Sequence, residues 1–202
     1  THVVLESTSH GLAQYRVGCC EFDIGVVTNI THEHLDYHGS YEAYRDAKSI
    51  LFRSLKETKD KERNTPRLAV LNRDDSSYEY LQSVTTSRQV SYGLQPGADL
   101  YAVKIETQPS GISFIVQAKD FALPVSSQLM GRFNVSNCLA ALAATIFGLN
   151  VDPRLAVNAI ETFPAVPGRM ERIDLGQNFT CIVDFAHTPN ALKVALETAR
   201  QM

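Results

Sequence analysis

The chain is short of every feature that marks a nucleic-acid binder or a membrane span. Its 202 residues carry a formal net charge of -3 and a pI near 6.0. It has no basic stripe, which excludes binding driven by attraction to a phosphate backbone. No apolar run is long enough to cross a bilayer, and no signal-peptide pattern opens the sequence. Cysteine is scarce as well. Cys19, Cys20, Cys138 and Cys181 show no C-x-x-C spacing, which excludes a zinc knuckle and reads as core thiols in a reducing cytoplasm. Internal repeats and low-complexity segments are absent. What is there, 44% apolar and 20% charged residues, suffices for a soluble domain with a substantial core. The length suits one large domain, or one domain and part of another. The sequence starts in an apolar run, Val3-Val4-Leu5, and stops inside a helical pattern, which reads as a fragment of a longer protein.

Three apolar stretches read as strands: His2 to Glu6, Ile24 to Thr28 and Arg67 to Asn72. Continuous apolar strands separated by helical stretches predict a mostly parallel sheet with both faces covered by helices, an α/β fold. In such sheets functional groups gather beyond the carboxyl ends of the strands. Glu6, Thr28, Asn29 and Asn72 fall at those ends. Ser40 is placed to cap a helix from about Tyr41 to Lys56, with Tyr44, Ala47, Leu51 and Leu55 as its apolar stripe. Residues 56 to 66 read as a solvated charged connector. From about Leu100 to Met130, apolar and polar residues alternate in three short runs, a small antiparallel β subdomain. Helices follow at about Asn134 to Phe147 and Pro153 to Thr162. Val166 to Arg169 is a turn, Thr180 to Asp184 a strand, and Thr188-Pro189 a helix start.

The densest chemistry lies at Thr31-His32-Glu33-His34-Leu35-Asp36-Tyr37-His38-Gly39, which holds three of the six histidines. On an extended segment His32, His34, Asp36 and His38 share one face, and metal ligation wants such convergent donors. One reading is a metal-dependent hydrolase using His32, His34 and Asp36. The H-x-H-x-D-H pattern of such enzymes sets Asp and His side by side, whereas here Tyr37 intervenes. Lys48 borders the apolar stripe of its helix, where a lysine ordinarily snorkels. A partly desolvated amine can instead lose its proton and take up CO₂ as a carbamate. Glu6 at a strand end suits Mg²⁺, and the hydroxyls after it, with Gln14 and Arg16, suit an anionic substrate. Asn134 and Asn137 at a helix start either cap it or read a base edge. Arg169 suits a phosphate and Asp184 a ribose.

Taken in order, these strings resemble the Mur ligases, the ATP-dependent amide-forming enzymes of peptidoglycan precursor synthesis. The type that adds the third residue of the peptide is nearest. The matching strings are Glu6-Ser-Thr-Ser-His-Gly-Leu12, Thr28 to Gly39, Tyr44-Arg-Asp-Ala-Lys48, Leu71 to Asp75, Met130 to Asn137, Pro167 to Glu171 and Asp184 to Pro189. The resemblance implies a central ATPase domain over residues 1–174, followed at 175–202 by the start of a C-terminal Rossmann-like domain. It implies ATP and Mg²⁺ as cofactors, with Glu6, His34 and a carbamylated Lys48 as metal-binding and catalytic groups. Thr8, Ser9, Gln14 and Arg16 would contact a UDP-muramoyl-dipeptide, and Asn134, Asn137, Arg169 and Asp184 would contact ATP. The second substrate would be diaminopimelate or lysine, and the enzyme a monomer of the bacterial cytoplasm. Cyanophycin synthetase is an alternative within the same kind of ligase. Two departures stand out. Ser7-Thr8-Ser9 replaces the family's Val-Ser-Ser, and no G-x-x-x-x-G-K-[ST] phosphate loop occurs in the sequence. The resemblance therefore implies that these residues alone do not ligate.

Overall fold

The fold was analysed in a computed structural model that describes residues 2–31, 35–61, 65–108 and 110–200, with side chains for all of these except Leu35, Asp36 and Asn190. One six-stranded sheet organises the molecule, in the order β1 (Ile24–Val26), β2 (Leu68–Asn72), β3 (Arg88–Gly93), β4 (Leu100–Gln108), β5 (Gly111–Ala118), β6 (Ala122–Ser127). β1 to β4 pair in parallel and β4 to β6 antiparallel. The expected meander is thus present and is continuous with the parallel sheet. It joins through a short contact in which Tyr92 and Gly93 face Leu100 and Tyr101.

β2 shows why a continuous apolar run is needed at the centre. Leu68 and Val70 enter one core with Val135, Cys138, Leu139 and Leu142 of α5 (Phe133–Ala143) and Ala156 and Val157 of α6 (Pro153–Glu161). Ala69 and Leu71 point the other way, into a core with Tyr44, Phe52 and Leu55 and with Leu81 of α4 (Tyr78–Val84). All five β2 residues are buried. Strand alternation thus sends one apolar string to two helical layers.

The helix expected after Ser40 is α3 (Tyr41–Ser54), tightened at its end into a 3₁₀ turn over Leu55–Glu57. Ser40 caps it, its hydroxyl oxygen accepting the Ala43 N–H at 3.1 Å. α6 begins on Asp152, whose Oδ1 accepts from Arg154 N at 2.8 Å, with Pro153 at the first position. α5 widens after Ala143 into a π turn, Ala144–Gly148. A Cβ on Gly148 would stand 2.4 Å from Ile24 Cδ1, so a larger residue there would make the Ile24 side chain of β1 shift. Beyond the main sheet, β7 (Glu171–Ile173) and β8 (Cys181–Val183) form a two-stranded antiparallel sheet, followed by α7 (Pro189–Arg200). The division expected after residue 174 falls between these two paired strands.

Three expectations are corrected. His2 to Glu6 pairs with no strand among the described residues, and Val3 and Val4 are 91% and 98% exposed. Cys19 and Cys20 are exposed and only Cys138 is a core thiol, because residues 14–19 form turns on the surface. The charged connector is anchored rather than fully solvated. Thr58 is buried, and its hydroxyl donates to Phe22 O at 2.7 Å. None of the helices among the described residues is long and apolar enough to cross a membrane.

Candidate active site

The loop that leaves β1 is held by side chains from the neighbouring strands. Tyr92, at the end of β3 and fully buried, donates its hydroxyl to Val27 O at 2.8 Å. Asn72, at the end of β2, donates to Thr28 O at 2.6 Å. Asp75 Oδ2 accepts the Ile30 N–H at 3.1 Å, and the Tyr41 hydroxyl donates to Ile30 O at 3.3 Å. Residues 27 to 30 are therefore fixed from three directions just before the histidine-rich string. Burial pushes the Tyr92 hydroxyl well above its ordinary pKa. A hydrogen bond from Ser136 opposes that shift, and the charges of Asp75 and Asp74 add to it. Ser136 lies between Asn134 and Asn137 at the start of α5.

On the same edge, Thr8 starts α1 (Ser9–Ala13) by accepting the Gly11 N–H on Oγ1 at 3.0 Å. Tyr15, at φ 55°, turns the chain away just after the helix. The short helix α2 (Leu35–His38) brings Tyr37 and His38 onto α1. His38 Nε2 lies 3.0 Å from Ser9 Oγ, and Gln14 Nε2 donates to the Tyr37 hydroxyl at 2.9 Å. The rings of His10 and Tyr37 are 4.0 Å apart and those of His38 and Tyr44 are 5.4 Å apart. Lys48 is half-buried one turn along α3, with Nζ 5.9 Å from the Tyr44 ring. Of the expected groups, Ser9, Gln14 and Lys48 are thus drawn into one network. Thr8 is the cap beside it. Glu6 and Arg16 are exposed on the chain entering and leaving α1. His32, Glu33 and His34 lie outside the described residues, as does the side chain of Asp36.

The remaining expected groups form two further arrangements. Asn134 is buried; its amide donates to Met130 O at 2.7 Å and its Oδ1 accepts from Asn137 Nδ2 at 3.0 Å. Asn137 is exposed. Gly131, at φ +90°, permits this start of α5: a Cβ there would lie 2.9 Å from Thr198 Cγ2 of α7. Arg169 and Asp184 meet at a clasp between the 166–169 turn and the end of β8. Asp184 accepts the Met170 and Ala186 N–H groups, each at 2.8 Å, and Phe185 N donates to Gly168 O at 2.8 Å. The Arg169 guanidinium carbon stands 5.3 Å from the Phe185 ring centre.

Sequence reasoning does not pick out Tyr92, Tyr41 or Tyr44 as site residues, although all three shape it. The usable signal was the position of Tyr92 in Val90-Ser91-Tyr92-Gly93, a short apolar-polar alternation ending in glycine. Chemically, the first edge offers hydroxyls and a half-buried amine joined through His38 and Tyr44, with the exposed carboxylate of Glu6 on the chain entering α1, residue types suited to an anionic substrate and a hard cation.

Comparison with known proteins gives the chain a family. The model of the Mur ligase middle domain matches residues 1–145. A UDP-N-acetylmuramoyl-L-alanyl-D-glutamate–2,6-diaminopimelate ligase of Geobacillus thermodenitrificans is 42% identical over 199 residues, 98% of this chain and 40% of that protein. UDP-N-acetylmuramyl-tripeptide synthetase 2 of Oceanobacillus iheyensis is 41% identical over 198 residues, 98% of this chain and 39% of its own length. A solved structure of a UDP-N-acetylmuramoyl-L-alanyl-D-glutamate–2,6-diaminopimelate ligase superposes with a TM-score of 0.79 at 32% identity, covering 96% of this chain and 39% of that one. The MurF ligase of Thermotoga maritima in complex with ADP shares the fold, with a TM-score of 0.73 at 18% identity over 93% of this chain and 41% of its own. The chain spans about two fifths of the length of the curated relatives it matches. These matches give the metal-hydrolase alternative no support. With residues 1–145 of 202 matched, this chain belongs to the Mur ligase middle domain family.

Proposed function

We propose that the chain is the ATP-handling centre of a ligase that adds the third amino acid to a UDP-muramoyl-dipeptide. The observation that carries the reading is the continuous network from Ser9 through His38 and Tyr44 to Lys48. It joins three strings that the sequence shares with the ligase family. The diaminopimelate-adding relatives favour diaminopimelate over lysine as the added residue. The reading carries with it a monomeric enzyme of the bacterial cytoplasm. The separate β7–β8 sheet and α7 support a second structural unit in the last part of the chain.

The reaction this predicts has two steps. A carboxylate oxygen of the dipeptide attacks the γ-phosphorus of ATP; the bond to the bridging oxygen breaks and ADP leaves. The amine of the added residue then attacks the acyl carbon of the resulting acyl phosphate. The acyl C–O bond breaks, inorganic phosphate departs with the former carboxylate oxygen, and the amine gives up a proton. Thr8, Gln14 and Arg16 hold the anionic dipeptide, while Ser9, buried and partnered by His38, supports the turn that carries Thr8; Asn134, Asn137, Arg169 and Asp184 hold the nucleotide.

Glu6, His34 and Lys48 would hold Mg²⁺. When bound, the metal supplies positive charge that offsets the crowded phosphate oxygens. The groups described fit that ion. Mg²⁺ uses one or two carboxylates and keeps several waters, and Glu6 is an exposed carboxylate. No closed group of three or more His, Cys, Asp or Glu metal ligands is found among the described residues. Lys48 enters that set as a carbamate: its neutral amine bonds to the carbon of CO₂ and releases a proton. Its half-buried place, which disfavours the charged ammonium, supports that chemistry.

The test is substrate-dependent nucleotide turnover by the full-length polypeptide that carries these residues. Sustained ADP release is expected only when ATP, UDP-muramoyl-dipeptide and diaminopimelate are all present. ADP release indifferent to the dipeptide overturns the reading.

A further inference from the structure

We infer that His38 is a positioning residue for ligation, a single imidazole that sets the Ser9 turn, α2 and the Lys48 helix in one arrangement. The inference rests on the ligase reading above and gives His38, there one link of the network, a role of its own. His38 Nε2 lies 3.0 Å from Ser9 Oγ, and Ser9 is 1% exposed, so that hydroxyl depends on a protein partner. The same ring is packed by Tyr37 edge-on at 4.8 Å, by His10 at 5.3 Å and by Tyr44 at 5.4 Å between centroids. Tyr44 is 4% exposed, and its ring lies 5.9 Å from Lys48 Nζ.

Three stretches of chain therefore meet on one side chain, and each supplies an expected site group. Thr8 directly precedes Ser9, and Glu6 stands three residues before it. His34 precedes α2, which ends at His38. Lys48 follows Tyr44 by one helical turn. These groups have to act on one small region of substrate, and a displacement of about 1 Å in such a set can cost on the order of 100-fold in rate. A residue that touches all three supports can hold them in register without touching substrate itself.

The test compares variants of the full-length ligase by kcat and KM for each substrate. His38→Phe keeps a ring against Tyr44 and loses the Ser9 bond. In His38→Gln the amide nitrogen reaches about as far as Nε2 and keeps that bond. We expect kcat of H38F to fall on the order of 10- to 100-fold, with KM for the added amino acid changed less than about twofold. H38Q should return kcat to within about threefold of wild type. A folded H38F with wild-type kcat overturns the role, as does an H38Q that loses as much as H38F. Should H38F fail to fold, H38Q is compared with H38N, whose shorter amide falls short of Ser9. Q active with N impaired upholds the role, and equal activities overturn it. A wild-type enzyme that forms no amide defeats the ligase reading and this role together. Wild-type turnover with an indifferent residue 38 defeats this role alone.

Discussion

The side-chain amide of Asn72 donates to the Thr28 carbonyl at 2.6 Å while its Oδ1 accepts the Asp74 N–H at 3.0 Å. One residue at the end of β2 thereby serves both the loop leaving β1 and its own turn. Asn72 is only 7% exposed, so water does not replace it freely. Asn72→Ala is expected to cost about 1–3 kcal/mol, the penalty for leaving buried backbone groups unpaired. Thermal unfolding checks it, with Tm lowered by roughly 2–10 °C. An unchanged Tm would show that the loop is held without it.

Tyr92 supplies a second hold on the same loop, and its burial fixes its titration. Burial raises its pKa above the ordinary 10.0, so the folded protein keeps this phenol protonated after an unfolded chain would have ionised. Its stabilising effect is complete below the ordinary value and is lost as pH climbs past it. Absorbance titration of phenolates in folded wild type and Tyr92→Phe should give equal amplitudes through the ordinary tyrosine range. A smaller amplitude in Y92F would mean that Tyr92 ionises normally. The same substitution leaves Val27 O without its donor and should cost about 1 kcal/mol in denaturant unfolding.

Burial likewise separates the cysteines. Cys138 is 2% exposed and burial pushes its thiol from 9.0 up to about 11, whereas Cys19 and Cys20 are exposed. Near neutral pH a maleimide should label Cys19 and Cys20 while Cys138 stays unmodified, as read by peptide mass mapping. The linkage has a definite sign. Below pH 9.0 both folded and unfolded thiols are protonated, and between there and about 11 only the unfolded chain ionises. Stability should therefore fall across that window, by up to about 2–3 kcal/mol from this group. Cys138→Ala should flatten that part of the pH profile.

The clasp at Asp184 links two expected nucleotide contacts. Its carboxylate accepts from Met170 N and Ala186 N, and Met170 sits at φ 49°. Asp184→Ala removes both acceptors, so the turn carrying Arg169 loses its anchor. In the full-length enzyme KM for ATP should rise about tenfold, with KM for the dipeptide little changed. Asp184→Asn, which retains one acceptor oxygen, should fall between. Equal ATP affinity in wild type and D184A would separate this turn from nucleotide binding.

What could be read from sequence divides along physical lines. The run Leu68 to Asn72 is apolar at successive positions because both its faces are covered, and that pattern is visible without a structure. Ser40 and Asp152 announce helix starts because capping is local. β3 escapes notice because Ser91 interrupts it. That polar residue is accommodated by Asp99, which accepts both its N–H and its hydroxyl at 2.8 and 2.7 Å. Val3 to Leu5 misleads for the opposite reason: an apolar string shows willingness to be buried but not the partner that would bury it. At the site, the motif strings are legible one by one. The contacts that join them, His38 to Ser9 and Tyr44 to Lys48, depend on how α1, α2 and α3 pack and have no signature in spacing alone.

The central claim, ATP-driven activation of a substrate carboxylate, is tested most directly by isotope transfer. UDP-muramoyl-dipeptide labelled with ¹⁸O in the reacting carboxylate is turned over by the full-length enzyme with ATP and diaminopimelate, and the released phosphate is analysed by mass. The account predicts that one labelled oxygen passes from the carboxylate into phosphate for each amide formed. Amide formation accompanied by unlabelled phosphate would contradict it.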